Sequence, residues 1–151
     1  MASDIRIDRE GAWYYRGVEM TRRDIVKLFY KNLRQDASGR YFIKIKKQKY
    51  PVEADDTAYV IWALEWSQSG DGAEECVRLL LSDDTSEDLK PETLRIRKNN
   101  ILYSRVKDGR FDARFSTSSY YRLAEHVQYS PVQNSYFILF RGKPYPIDEI
   151  D

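Results

Sequence analysis

Hydrophobic positions along the chain switch between a period of two and a period near 3.6, and they do so twice in the same order. Ile5 and Ile7 alternate with Arg6 and Asp8, and Ala12 to Tyr15 runs back after Glu10-Gly11, which predicts a hairpin. Gly17 permits a second turn before Val18-Glu19-Met20. Thr21-Arg22-Arg23-Asp24 then opens a predicted helix, with Thr21 placed to cap it and Asp24 to reach back. Ile25, Leu28, Phe29 and Leu33 form its expected buried stripe. After Asp36–Gly39 a strand, a basic turn and a second strand run to Glu53. Tyr59–Trp66 is a long strand with apolar residues on both faces, residues 67–73 are a polar loop, and Cys76–Leu81 is another strand. Leu94–Lys98, Ile101–Val106 and Arg110–Phe115 are strands separated by Asn99-Asn100 and Asp108-Gly109, residues that suit the positive φ of tight turns. Ser116–Ser119 caps a second helix, striped by Tyr120, Leu123, Ala124 and Val127, and Pro131 follows its end.

The last hairpin repeats the earlier one in its residues as well as its pattern. Gly39–Glu53 aligns without a gap on Asn134–Asp148: Tyr41-Phe42-Ile43 on Tyr136-Phe137-Ile138, Tyr50-Pro51 on Tyr145-Pro146, Val52 on Ile147, Glu53 on Asp148. Both sides of the chain run hairpin, helix, hairpin. The expected fold is α+β, with two similar halves that each pack one helix on an antiparallel sheet. Residues 1–81 form the first half and 82–151 the second, with a connector over 82–91. A duplicated unit creates a seam, and the seam is the natural place for a ligand.

The chain has 151 residues, 42% of them hydrophobic and 14% aromatic, enough for one domain or two small ones sharing a core. No apolar run reaches the length of a membrane span, and the first residues lack the basic and apolar regions of a secretory signal. Cys76 is the single cysteine, so no internal disulfide forms and a cytoplasmic location is expected. The net charge of +1 hides an uneven distribution: +6 over residues 1–53, −8 over 54–90 and +3 over 91–151. An acidic middle is expected to pack near the basic halves.

Three stretches resemble the bacterial domain of unknown function 1285 (DUF1285) family. They are Gly11–Gly17 leading into the helix at Thr21, Val52–Val60, and Val106–Ser116 followed by Tyr120-Tyr121 and Leu123. The resemblance implies an internal duplication whose C-terminal half is loosely pleckstrin-homology-like. It also implies a ligand site at the seam for a nucleotide-like molecule, and a signalling role. The chain departs from the family at Ile45–Lys49, so no pocket contact is carried over onto that hairpin.

Candidate binding residues are Arg22 and Arg23 at the first helix start, where amides and guanidinium groups can hold an anion. Arg114, beside the second helix, is another, with an ion pair to Asp112 or Glu125 as its structural alternative. Tyr121 and Trp13 are candidates for a stacking or apolar wall, with core or surface packing as the plainer account of Tyr121 and a core or seam place as that of Trp13. Lys44, Lys46, Lys47 and Lys49 interleave with tyrosines and form a weaker candidate for nucleic acid, an edge hairpin guarded by lysines being the plainer account. His126 has no nucleophile motif beside it, and Cys76 reads as a small buried hydrophobe. No catalytic residue, metal site or cofactor is expected. The favoured function is a non-enzymatic module for a small anionic ligand. The alternative is a protein-interaction adaptor or homodimer using exposed strand edges, without membrane association.

Overall fold

The repeated pattern folds into a repeated ladder of strands. The structure is a computed structural model that describes residues 3–68 and 75–150, so the polar loop expected over 67–73 falls outside the described residues from 69 on. The first unit comprises β1 (Ile5–Ile7), β2 (Trp13–Tyr15), β3 (Val18–Glu19), α1 (Arg23–Lys31), β4 (Leu33–Gln35), β5 (Tyr41–Ile45) and β6 (Gln48–Ala54). Its strands lie in the order β3-β2-β1-β6-β5-β4. Only β1 and β6 pair in parallel; the other neighbours are antiparallel.

Three strands follow: β7 (Tyr59–Ser67), β8 (Cys76–Leu81) and β9 (Ser86–Asp88). The second unit then repeats the first as β10 (Arg95–Arg97), β11 (Leu102–Val106), β12 (Phe111–Phe115), α2 (Thr117–Ala124), β13 (Val127–Ser130), β14 (Ser135–Phe140), β15 (Lys143–Pro146) and β16 (Asp148–Ile150). The registers match residue by residue. Arg6 is opposite Glu53 on the parallel partner and Tyr14 on the antiparallel one; Arg95 is opposite Asp148 and Tyr103. One step further out, Tyr14 is opposite Glu19 and Tyr103 is opposite Arg114. The α+β fold of two similar halves is therefore what the chain adopts.

One difference is built in. The single strand β6 of the first unit becomes two in the second, divided at the buried Ile147, so that β13-β14-β15 form a separate sheet. The strands after the first unit join the second. β7 pairs in parallel with β12 and antiparallel with β8, giving the order β16-β10-β11-β12-β7-β8-β9. The stretch 82–91, expected as a connector, carries β9 and the start of a 3-10 turn at Pro91–Thr93.

One apolar cluster crosses the seam. It runs from Ile7, Trp13, Val26 and Tyr30 through Tyr59 and Ile61 of β7 to Phe111, Phe115, Leu123 and Ile138. On β12, Phe111, Ala113 and Phe115 point into it while Asp112 and Arg114 lie on the other face, as strand alternation predicts. The helix stripes differ from expectation. α1 buries Val26 and Tyr30, Leu28 is 50% exposed, and Leu33 has already left the helix to start β4. A helix of nine residues buries only a narrow i, i+4 stripe, and Asn32 ends it one residue before Leu33. The expected Thr21 cap is not formed: Arg22 occupies the N-cap without a side-chain bond, and Asp24 pairs with Arg22 instead. In α2 the buried positions are Ser119 and Leu123, and Val127 belongs to β13. Ser119 tolerates burial because its hydroxyl donates to the Ile61 carbonyl at 2.8 Å, which a hydropathy pattern cannot show.

Candidate functional site

A cleft of about 930 Å³ opens between the units. The β1–β2 turn brings Arg9 and Glu10 from the first unit, β7 brings Trp62, and the second unit brings Arg114 with the first turn of α2. Each wall has a local cause. The Asp8 carboxylate accepts from the amides of Glu10 and Ala12, both at 2.9 Å, and from the Tyr14 hydroxyl at 3.0 Å, which fixes the turn that carries Arg9. Gly11 closes that turn at φ +89°, and a Cβ there would come within 3.0 Å of the Ser82 Cβ and 3.2 Å of the Trp62 indole nitrogen. Only glycine lets the turn settle against β7, where the Trp62 indole donates to the Glu10 carbonyl at 2.8 Å.

On the other wall, Ser116 caps α2 by accepting from the Ser119 amide at 3.2 Å. The Ser116 and Ser118 hydroxyls reach the Trp62 carbonyl at 3.3 and 3.4 Å. The amides of Thr117 and Ser118 lie in the first turn, where no intrahelical acceptor exists, so the helix start offers donors and a fractional positive charge. Arg114 donates to Asp56 at 2.9 Å, and the Tyr103 hydroxyl donates to the same carboxylate oxygen at 2.6 Å. The Arg114 and Asp56 side chains are 21% and 15% exposed. Asp56 follows β6 of the first unit, so this network fastens the two units together. Burial first, and the Asp56 carboxylate second, push the Tyr103 phenol up to about 12, so it remains a donor at neutral pH. Arg9 is exposed and has no acid partner among the described residues.

Of the five expected binding residues, Arg114 and Tyr121 line the cleft, and Tyr121 is 64% exposed there. Arg114 does form an ion pair, but with Asp56 rather than with either alternative read from the sequence, Asp112 or Glu125; Asp112 is held by Arg95 and Arg105. Arg22 is paired with Asp24 at 2.6 Å. Arg23 bonds Asp84 at 2.9 Å and the Ser82 carbonyl at 2.8 Å, and touches the site only through the Trp62 ring, 5.2 Å away. Trp13 is 1% exposed and packs on Phe29 and Tyr30, so it is core and not a ligand wall. Arg9, Trp62 and the α2 first turn were not singled out as binding groups. The Asp8–Gly11 turn was the signal that could have pointed to Arg9.

Other candidates lie elsewhere. Lys44, Lys46, Lys47 and Lys49 are exposed on the β5–β6 hairpin and line neither cleft of the structure. His126 stacks on Trp66 at 3.8 Å. Cys76 is half-buried rather than a core hydrophobe: it lies at the sheet margin, 3.4 Å from the Asp88 carboxylate, with its thiol raised by desolvation and then by Asp88. Among the described residues, no helix is long and apolar enough to cross a membrane.

Residues 1–57 match the model of the DUF1285 N-terminal domain, a domain of unknown function. No curated protein matches the chain. Two solved structures share its fold. A DUF1285 family protein from Silicibacter pomeroyi DSS-3 is 20% identical with a TM-score of 0.78, over 97% of this chain and 80% of that one. A DUF1285 family protein from Shewanella baltica OS155 is 17% identical with a TM-score of 0.65, over 82% of this chain and 92% of that one. The resemblance to the DUF1285 family read from the sequence is borne out.

Proposed function

We propose that the seam cleft binds a small organic anion carrying a flat ring, of the nucleotide-like kind, and that the protein acts by binding rather than by catalysis. One observation carries this reading: Arg9, a cation with no acid partner among the described residues, shares a 930 Å³ cleft with Arg114 and the start of α2. Guanidinium groups and helix-start amides suit phosphate oxygens. Trp62 and Tyr121 supply the aromatic surface for a ring. A ligand gripping Arg9 on one side and Ser116–Ser118 on the other would stiffen the relation between the units, which is what a sensor in a signalling pathway needs. The lone Cys76 suits a reducing cytoplasm.

A thermal-shift screen of nucleotides and organic phosphates tests this. A true ligand at a hundredfold its Kd should stabilise the protein by about 2.7 kcal/mol. Arg9→Ala and Tyr121→Ala should remove that stabilisation and leave the unliganded protein unchanged, because both side chains are exposed. Arg114→Ala is a poor first choice, since it strands Asp56. No stabilisation by any compound sinks the reading.

A second reading, an adaptor or homodimer, rests on the β13–β14 face. Tyr129 and Tyr136 sit opposite each other and are exposed there, with Val132 in the turn beside them. Size-exclusion with light scattering decides it: a strict monomer across concentrations counts against self-association.

A further inference from the structure

A second cleft, of about 400 Å³, lies under the carboxyl end of α1, bounded by the β8–β9 and β11–β12 turns. It is separate from the seam site and shares no lining residue with it. Four cations line it, Lys27, Lys31, Lys107 and Arg110, against two carboxylates, Asp83 and Asp84. The carboxylates are already taken. Asp83 is 2.6 Å from the Lys107 ammonium and also accepts from the Thr85 amide at 3.0 Å. Asp84 binds Arg23 at 2.9 Å, with Lys27 at 3.9 Å. Lys31 has no acid partner among the described residues, and Arg110 commits only its Nε, to the Lys107 carbonyl at 3.0 Å. The cleft therefore holds an excess of positive charge that the protein does not neutralise.

A donor on a fixed ring points the same way. Tyr59 lines the cleft and is 3% exposed, its ring wedged between Tyr30 and Phe111 with the Lys107 ammonium 5.6 Å from its centre. Tyr30 satisfies its hydroxyl on the Ala58 carbonyl and the Ser82 hydroxyl, both at 2.8 Å. The Tyr59 hydroxyl makes no hydrogen bond among the described residues and is not one of their enclosed unpaired atoms, so it is open to the cleft it lines. Burial raises its phenol, so it stays protonated and able to donate. A hydroxyl held in place by a buried ring and open to the cleft is a preset donor for an acceptor that enters it.

We infer that this cleft is a second anion site, which takes the phosphate group of a small phosphorylated molecule on Arg110, Lys31 and the Tyr59 hydroxyl. A phosphate matches the guanidinium fork with two parallel hydrogen bonds, which a lone halide cannot. Its double charge matches the uncompensated pair Lys31 and Arg110. The negative end of α1 opposes an anion here, and Lys31 in the last turn of α1 offsets it. The volume falls in the range of small-molecule pockets and leaves room beyond the phosphate itself.

The test is an amide-resolved NMR titration of the full chain with inorganic phosphate, glycerol phosphate, malonate and chloride at constant ionic strength. Phosphate and glycerol phosphate should give saturable shifts at Lys31, Tyr59, Thr85 and Arg110, and chloride none. Arg110→Ala should weaken binding about tenfold or more, and Tyr59→Phe about threefold to tenfold. Lys143→Ala, which lines neither cleft, should change nothing. The proposal is overturned if phosphate fails to saturate, if Arg110→Ala binds as before, or if malonate binds more tightly than phosphate. Shifts confined to Ser116–Ser118 would also overturn it, since they would report the seam cleft instead.

Discussion

The two units share a ladder but not a charge pattern, and the proposed ligand site rests on the difference. At the outer strand of the first unit the residue opposite Tyr14 is Glu19; at the matching place in the second, opposite Tyr103, it is Arg114. The helix starts diverge in the same sense. α1 begins at an uncapped Arg22, a cation set against the positive end of the helix. α2 begins at Ser116, which caps the helix and leaves its start free of charged side chains. One copy therefore has an ion pair at its helix start, and the other a serine cap with no charged side chain. The two copies share the frame and differ in the charges at the helix starts.

Substitutions at matching positions sharpen that contrast. The largest effect should come from Trp13→Ala, which removes a fully buried indole and should cost about 3–5 kcal/mol in denaturant unfolding. Its counterpart by register is Leu102, and Leu102→Ala should cost about 2–5 kcal/mol. If Trp13→Ala costs nothing, the apolar cluster does not run across the seam as described.

Adjacent carboxylates should separate next. Asp56→Ala leaves Arg114 and Tyr103 without their acceptor and should cost about 1–3 kcal/mol. Asp55→Ala breaks only the exposed pair with Arg6 and should stay within about 0.5 kcal/mol. Equal losses from the two would deny Asp56 its role as the fastener.

The helix starts give a smaller, opposite pair. Ser116→Ala should cost about 1 kcal/mol, while Arg22→Asp, which supplies the cap that α1 lacks, should gain about 0.5–1 kcal/mol. Thermal midpoints measure both. The last effect is nil at neutral pH. The Tyr30 phenol is pushed up to about 12, chiefly by burial, from an unfolded value near 10. Its contribution is fully present below pH about 10 and is lost as pH rises towards 12. Tyr30→Phe should flatten that alkaline limb, and an unchanged limb would move its origin elsewhere.

Much of the fold was legible because it depends on local rules. Alternation on β12, the Asn99-Asn100 and Asp108-Gly109 turns and the Ser116 cap each follow from a few neighbouring residues. The repeated Tyr-Phe-Ile strands announced the duplication. The α1 stripe departs from the pattern because Leu33 fits a helical period that the chain abandons at Asn32, and within the helix Val26 and Tyr30 take the buried face instead of Leu28. Half of the site could be read, Arg114 and Tyr121, because a strand-to-helix junction places them from sequence alone. The Asp8–Gly11 turn marks Arg9 as a turn residue, but what makes Trp62 a neighbour of α2 is the parallel pairing of β7 with β12, a contact about fifty residues long in sequence. For Trp13 the plainer reading as core holds and the reading as a ligand wall does not: it sits opposite the buried Ile7.

The parallel pairs β1–β6 and β10–β16 have a kinetic consequence. In each unit the first strand must wait for a partner roughly fifty residues downstream, residue 5 for residue 52 and residue 95 for residue 148. Contacts that span so much chain close slowly, because loop entropy is lost before the pairing rewards it. On a ribosome the earlier unit can zip shut while the later one is still being made, and the later one stays open until its fiftieth residue or so has emerged.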